Sequence, residues 1–504
     1  MRFATSPPVE LPTGPVLTGI HIVSADQDHL PDLRADSVAG VMLGQPLTPA
    51  LLHDIENAVQ QRYAALNYSV LARWAPNGDV ATGVVTIAVS RLTLGQVTVK
   101  GGRGGQAAYI EQRLSLQPGQ AVDSKRFGYD LASLNRYPYR ETAAVFTPRQ
   151  GTDVADLDLT ITNHKPWEAF FGFKYGGSQH FTFRRFYAGA TVGNLLGRDS
   201  LLSVQLTGSP EVALHGAPHP KFKEGVVTYS LPLARHAQFE ASLDIGELNF
   251  HFAPSVYRII DTMAQAGMRL DIAGEHRPGL SRDIRFGIEA KNELEFIFTD
   301  GIQGTRMATE VLQAYAGYHR AWTSDEVQDD LDIVAHLSPG NLDPGNTNAH
   351  ARIYTEGRQT SQKYAYLGLT YDRTQVLTKA LSWHSQVIGQ VATGALPFSE
   401  QPGLGGLSSV RGYYFIDGSY DTSLVVRNEL VLQHGPKPYL FYDIGAGRDY
   451  GLHHSDVVAS AGIGANFTIG KAATFHVEAL RTLRAGQFTP KNTATVLGNL
   501  TFRF

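Results

Sequence analysis

Hydrophobic periodicity divides the chain into two parts near residue 165. In the first part, apolar residues at three- and four-residue spacing predict an amphipathic helix over 48–66. Its apolar face is formed by Leu52, Ile55, Val59, Tyr63 and Leu66. Strands are predicted at 17–25, 68–75 and 83–90. Together with a short helical turn near 32–38, these elements predict a small α/β module at residues 16–91.

The same order of elements recurs over residues 92–165 and predicts a second module. Its strands are predicted near 93–100, 142–148 and 154–162, and its helices near 105–116 and 123–136. Two tandem modules of one plan ahead of a larger unit indicate a docking arm. Residues 1–15 contain four prolines and predict a linker before the first module.

Helical periodicity disappears from about residue 166, and segments of roughly ten residues alternate between apolar and polar positions, as membrane-crossing strands do. In the last segment, Val496, Leu500 and Phe502 share one face with the terminal Phe504, whereas Leu497 lies in the polar row. Candidate strands begin near residues 168, 182, 200, 224, 237, 258, 283, 307, 328, 363, 382, 423, 438, 457, 473 and 493.

This pattern predicts a transmembrane β-barrel over residues 166–504, preceded by the two small α/β modules. The expected number of antiparallel strands is about sixteen, an even number as bacterial barrels require. The longest insertions, 340–362 and 394–422, are predicted as loops. A soluble β-sandwich would produce similar stripes, and periodicity alone does not separate the two folds.

The amino-acid composition excludes several classes of protein. The chain has no cysteine, which excludes disulfides, thiol nucleophiles and cysteine-ligated metal centres. Lys and Arg number 43 against 47 Asp and Glu, so no basic field favours a nucleic-acid partner. No run of about 18 apolar residues is present, so a membrane would have to be crossed by a closed barrel. Catalytic and metal-binding motifs do not stand out, and we predict a protein that is not an enzyme and needs no cofactor or metal.

The second long insertion contains a motif that points to a family. Residues 404–415 read LGGLSSVRGYYF and include Val410, Arg411, Gly412 and Tyr413. This resembles the loop motif of the Omp85 superfamily, and its surroundings look most like the two-partner secretion transporters of the hemolysin activation and secretion type. The sequence FYDIG, with Phe441, Asp443 and Gly445, is similar to the strand motif that receives this loop in the family.

The second module carries a further resemblance. Leu134, Asn135, Arg136, Tyr137 and Pro138, followed by DLDL at 156–159, are similar to the second POTRA module of these transporters. The order of the motifs along nearly the whole chain is more specific than any one of them. Family members often carry a plug helix before a Pro-rich linker, and here we expect that helix to be trimmed or absent.

The resemblance implies an outer-membrane translocator with its POTRA modules in the periplasm. Its expected partners are an unfolded secreted protein, outer-membrane lipid and the barrel assembly machinery, with Phe504 as the C-terminal signal. One alternative is an Omp85-type insertion factor, although two POTRA modules favour secretion. A passive porin and a soluble all-β protein are further alternatives, and the docking arm and loop motif argue against the porin.

Strand phase indicates where the loop would bind. In strand 438–447, Leu440 and Tyr442 belong to the lipid-facing row, so Asp443 points into the lumen. The same argument places Glu429 inside. In related transporters the loop arginine, here Arg411, pairs with the aspartate of the strand motif, and we predict Asp443 as its first partner and Glu429 as its second.

At about 4 Å and an effective dielectric near 20, the raw attraction of such a pair is on the order of 4 kcal/mol before desolvation. Taken alone, Arg411 would be an ordinary solvated loop cation and Asp443 an ordinary lumen carboxylate. The glycines beside Arg411 and the matching strand motif favour a gating latch instead.

Overall fold

The computed structural model divides into two compact units, Met1–His164 and Lys165–Phe504. It describes residues 15–24, 30–33, 42–66, 68–75, 82–102, 106–137, 139–150, 152–176, 184–195, 199–215, 220–251, 257–277, 279–406, 408–414 and 417–504. Apart from Pro15, the predicted linker lies outside these residues, and so do Pro138 and most of the predicted turn at 32–38.

The first module is built around one described helix. Its elements are β1 (Gly19–Ser24), α1 (Pro49–Ala65), β2 (Val70–Trp74) and β3 (Val84–Arg91). Thr48 caps α1 by accepting a hydrogen bond from the Leu51 amide at 3.1 Å, and Pro49 occupies the first turn, where no amide donor is needed. The apolar face of α1 is buried as predicted except at Leu66, which lies just past the helix end and is 44% exposed.

The second module repeats this plan. Its elements are β4 (Thr93–Gly101), α2 (Gln106–Arg113), α3 (Ser124–Leu134), β5 (Arg140–Pro148) and β6 (Val154–Asn163). The two sheets have the orders β1-β3-β2 and β4-β6-β5, and in each the last strand lies in the centre, parallel to the first and antiparallel to the second. Each module has its own apolar core, so the predicted pair of small α/β modules is confirmed.

Sixteen strands of the described chain close into an antiparallel barrel, as predicted. They are β7 (Trp167–Tyr175), β8 (Arg184–Gly193), β9 (Leu201–Gly208), β10 (Phe222–Ala234), β11 (Ala237–His251), β12 (Tyr257–Arg277), β13 (Leu280–Thr299), β14 (Ile302–Thr323), β15 (Val327–Ser338), β16 (Tyr364–Thr378), β17 (Leu381–Ala392), β18 (Thr422–Leu432), β19 (Pro438–Asp449), β20 (His454–Ile469), β21 (Ala473–Thr482) and β22 (Ala494–Arg503). The last strand pairs with the first, and the Phe504 amide donates to the Ala169 carbonyl at 2.9 Å. Closure excludes the two-sheet sandwich, because a sandwich has open sheet edges.

The two faces of the barrel wall differ in chemistry. Exposed apolar side chains such as Leu206, Ile288 and Leu440, each at least 60% exposed, occupy the outer face. Such a surface is typical of a wall that faces lipid. Leu497, the exception in the last strand, points inward and is buried against the inner row of β19 and β21.

Among the described residues, three short helical segments interrupt connections between barrel strands. They are α4 (Pro210–His215), α5 (Asn348–Tyr354) and a 3₁₀ turn at Phe398–Glu400. The insertion at 340–362 therefore differs from the loop we predicted, because Thr347 accepts a hydrogen bond from the His350 amide and starts a helical turn there. None of the described helices combines the length and the hydropathy that a membrane span requires.

Candidate functional site

The long connection between β17 and β18 brings Arg411 to the inner wall of the barrel. Nε of Arg411 donates to Oδ2 of Asp443 at 2.6 Å, and Nη2 donates to Oδ1 at 2.6 Å. The backbone amide of Arg411 donates to Oδ2 as well, at 3.2 Å. Arg411 is 2% exposed and Asp443 is fully buried. The planar guanidinium therefore binds one carboxylate through two parallel hydrogen bonds, which is the strong, bidentate geometry of an arginine–carboxylate pair.

The other side of the guanidinium meets two more carboxylates. Nη1 donates to Glu429 at 2.8 Å and to Glu478 at 2.5 Å. The ring of Phe441 lies 3.6 Å from Cζ, as in a cation–π contact. One cation thus neutralises part of the charge of three acids. The structure brings together Arg411, Asp443 and Glu429, the residues that sequence analysis singled out.

Glu478, on β21, was not among the site residues predicted from the sequence. In the register of the wall, Gly464 pairs with both Tyr439 and Glu478, so no side chain separates these two. The Tyr439 hydroxyl donates to Glu478 at 2.8 Å and fixes its position. Strand phase alone identifies Glu478 as an inward carboxylate. Because β21 is only two strands away from the strand of Asp443, this inward phase is the signal by which Glu478 could have been found.

Glycines on the wall make room for the loop. A Cβ atom at Gly445 would lie 2.8 Å from Cγ2 of Val410, and one at Gly447 would overlap the ring of Tyr420. Gly412 has a φ of +90°, which an L side chain rarely adopts. The glycines of the loop motif and of the strand motif are therefore explained by close packing and by backbone conformation.

Neighbouring residues of the loop are held just as closely. The hydroxyl of Tyr413, which is 2% exposed, donates to the carbonyls of Ala459 and Arg484, both at 2.8 Å. The buried carboxylate of Asp417 accepts from the Thr489 amide at 2.7 Å and from the hydroxyl of the same residue. The buried apolar cluster at this place consists of Leu404, Val410, Tyr413, Tyr420, Val425 and Val458. The described residues of the loop motif therefore pack closely against the wall.

A second buried arginine holds the two ends of this loop. Nη1 of Arg358 lies 3.4 Å from Asp421 and 3.3 Å from Asp449, and Nη2 donates to the Leu396 carbonyl. Gln401 donates to both carboxylates, at 2.8 Å and 3.2 Å. Arg358 belongs to the insertion at 340–362, so its ion pair with Asp421 joins the two long connections.

The motif in the second module has a structural explanation. The Asn135 side chain donates to the Thr142 carbonyl at 2.9 Å and accepts from the Thr142 amide at 2.6 Å. The buried Arg140 donates to the carbonyl of buried Leu134 at 2.6 Å. These bonds tie the end of α3 to β5, whereas Arg136 is exposed.

Two further predictions concern the chain terminus and ions. Phe504 is 66% exposed and continues the outward apolar row of β22. Within the described residues, no group of three or more His, Asp or Glu side chains is arranged to hold a metal ion.

Comparison with known proteins identifies the family. A family model described as haemolysin secretion/activation protein ShlB/FhaC/HecB matches residues 153–467, which is more than half of the chain. The chain belongs to this family. It is thus an outer-membrane translocator of the two-partner secretion type, with POTRA modules in the periplasm and a secreted protein as partner. The family and the location predicted from the motifs are confirmed.

Individual relatives are distant but cover most of the chain. The heme/hemopexin transporter protein HuxB of Haemophilus influenzae is 20% identical over 483 residues, or 90% of this chain and 81% of HuxB. The structure of CdiB from Escherichia coli has a TM-score of 0.69 at 16% identity, covering 99% of this chain and 93% of that one. BamA from Haemophilus ducreyi lacking POTRA domains 1-3 has a TM-score of 0.56 at 14% identity, covering 97% and 100%. At these identities the two structures show a shared fold.

Proposed function

We propose that this transporter takes up its secreted partner in unfolded form and that the VRGY loop, residues 394–422, is the gate of the pore. The observation that carries the proposal is the buried fork between Arg411 and Asp443. It joins a long connection to the lumen wall by side-chain contacts that can be broken without unfolding the barrel. A gate needs such a reversible attachment, whereas a permanent plug does not.

The strength of the attachment suits a gate. Removing one partner of a buried ion pair typically costs about 3–5 kcal/mol, because the other charge is left uncompensated. Here the three carboxylates would remain in the wall without their shared cation. A cargo segment that enters the lumen and offers other hydrogen-bond partners could compensate that loss, so release would be coupled to arrival of cargo.

Recognition of the partner is assigned to the POTRA modules, which we place at residues 16–91 and 92–165. Within the described chain, β5 is an edge strand that pairs only with β6. An extended polypeptide can add to such an edge through main-chain hydrogen bonds with little demand on its sequence. Strand β5 and the neighbouring helix α3 therefore offer a docking surface for an unfolded chain.

Transport then requires no bound energy source in this proposal. The cargo would thread through the lumen while the loop moves aside, and folding of the cargo outside the cell would supply direction. We also propose that the barrel assembly machinery inserts this barrel, with the terminal Phe504 as part of the signal it reads, and that outer-membrane lipid contacts the apolar outer face.

The test is secretion of the partner from cells that carry Arg411→Ala or Asp443→Ala. We expect impaired export while the barrel remains inserted and folded, which is checked by outer-membrane fractionation and by the shift in electrophoretic mobility on heating. Arg269→Ala is a matched control, because Arg269 pairs at 3.0 Å with Glu240 and with Asp271 on barrel strands and not with the loop. Undiminished export in both Arg411→Ala and Asp443→Ala would contradict the proposal that the loop is a gate.

A further inference from the structure

The first half of the same loop makes a second ionic contact, with a different part of the wall. Glu400 lies in the 3₁₀ turn, and Oε1 of its carboxylate is 2.6 Å from Nζ of Lys291 on β13. The Glu400 side chain is 1% exposed and the Lys291 side chain is 10% exposed. A carboxylate that is buried to this extent is kept only where it is paired and hydrogen-bonded.

Neutral groups complete the binding of Glu400. Oε2 accepts from the Tyr366 hydroxyl at 2.6 Å and from the Gln313 side chain at 2.8 Å. Gln390 donates to the Glu400 backbone carbonyl at 2.8 Å. Strands β13, β14, β16 and β17 thus each supply one contact. A single acidic residue of the loop is bound by neighbouring strands of the wall, through its side chain and its backbone carbonyl.

This part of the wall is separate from the one that holds Arg411. Among the described residues, the side chain of Arg411 donates to acids on β18, β19 and β21, and none of these acids contacts Glu400. Eleven residue steps separate the two positions, which allow a reach of roughly 36–40 Å when extended. The chain between them is therefore long enough for one half of the loop to move while the other stays bound, once the backbone bonds between the halves have broken, such as the one from the Leu404 amide to the Gly418 carbonyl at 3.0 Å.

We propose that Glu400 and Lys291 form a second anchor of the loop, which positions its first half and breaks independently of the Arg411 anchor. This inference rests on the proposed role of the loop as a gate and deepens it. Opening becomes a two-step process. The pore clears only when both the Glu400 contact and the Arg411 contact, which lie on different parts of the wall, have broken. Partial release of either half gives a narrower opening.

The chain allows a direct test, because it has no cysteine and single thiols can be introduced. Ser399 and Ser409 lie in the two halves, and the hydroxyl oxygen of each is buried. The purified full-length chain carrying Ser399→Cys or Ser409→Cys is reacted with a water-soluble maleimide. We expect Lys291→Met or Glu400→Gln to speed labelling at position 399 on the order of tenfold, because either change leaves one buried charged group without its charged hydrogen-bond partner. Labelling at 409 should change less than about twofold.

Controls separate this anchor from a general loosening of the barrel. Lys291→Arg keeps the charge and should label like the parent protein, and Arg269→Met removes a wall pair that does not involve the loop. Arg411→Ala should give the reverse pattern, with faster labelling at 409 and little change at 399. Folding of each variant is verified by the heat-induced mobility shift.

Two results would overturn the second anchor. One is unchanged labelling at 399 in both Lys291→Met and Glu400→Gln, and the other is equal acceleration at 399 and 409, which would mean that the loop moves as one body. Neither result depends on export. Failure of the gate in the secretion assay therefore remains distinguishable from failure of this anchor.

Discussion

The two halves of the inward loop are bound by opposite charges in opposite surroundings. Arg411 contacts three acids, Asp443, Glu429 and Glu478, and Arg427 lies farther off, at 3.9 Å from Asp443. Glu400 is one anion whose charged hydrogen-bond partner is Lys291. The first anchor therefore has acids in excess, so the loss of one leaves others, whereas the second depends on a single cation.

This difference predicts different sensitivities. At the first anchor, the cation is the irreplaceable component, and each acid contributes according to its number of bonds and its burial. At the second anchor, either charged residue is irreplaceable, and the neutral donors make smaller contributions. A net contribution of about 0.5–1.5 kcal/mol is typical of a neutral hydrogen bond, against about 1.5–3 kcal/mol for one to a charged group.

The largest effect is expected when both anchors are removed. In planar lipid bilayers, Arg411→Ala and Lys291→Met alone should each give short or partial openings, because one half of the loop remains bound. The double variant should be open for most of the recording at the conductance of an unobstructed pore. If the anchors are independent, their free energies add within about 0.5 kcal/mol. A double variant no more open than Arg411→Ala would mean that the second anchor does not restrain the pore.

An intermediate effect is expected within the first anchor. Asp443 is fully buried and makes two side-chain bonds to Arg411, whereas the Glu429 side chain is 18% exposed and makes one. Asp443→Asn should therefore reduce the free energy that binds the loop to the wall by about 2–3 kcal/mol, and Glu429→Gln should reduce it by about 1 kcal/mol. Thiol labelling at position 409 measures both, and labelling at 399 is the internal control. Equal effects would contradict the ranking of the two acids.

The smallest effect distinguishes two matched tyrosines. The Tyr439 hydroxyl donates to Glu478 in the first anchor, and the Tyr366 hydroxyl donates to Glu400 in the second. Each Tyr→Phe change removes a neutral donor while the carboxylate keeps its charge and its charged partner, so the cost should stay at or below about 1 kcal/mol. Tyr439→Phe should speed labelling only at 409, and Tyr366→Phe only at 399. Crossed responses would show that the halves are coupled through the wall.

The first anchor could be predicted from the sequence and the second could not, for a physical reason. Arg411 lies in a motif with glycines that packing requires, and its counterpart Asp443 lies in a second motif, so each was marked by its neighbours. Glu400 lies beside no such pattern. Lys291 precedes it by 109 positions and is one of many inward polar residues on a long strand. Strand phase predicts that Lys291 points inward and does not reveal what it meets there.

The amino-acid sequence by itself determined the elements and their faces. A period of two, set by the alternation of side chains along a strand, placed apolar residues toward lipid and residues such as Asp443 toward the lumen. Helical spacing and capping residues likewise determined helix α1, with Leu66 as the exception because it lies beyond the end of that helix.

Only the tertiary structure decided which inward residues meet. Closing the sheet brings β21 and β13 around the same lumen, so Glu478 and Lys291 come within reach of one loop although they are far apart along the chain. The same holds for Arg358, which reaches Asp421 and Asp449 from another insertion. Contacts across a lumen depend on the curvature and stagger of the whole wall, and no local pattern of residues encodes them.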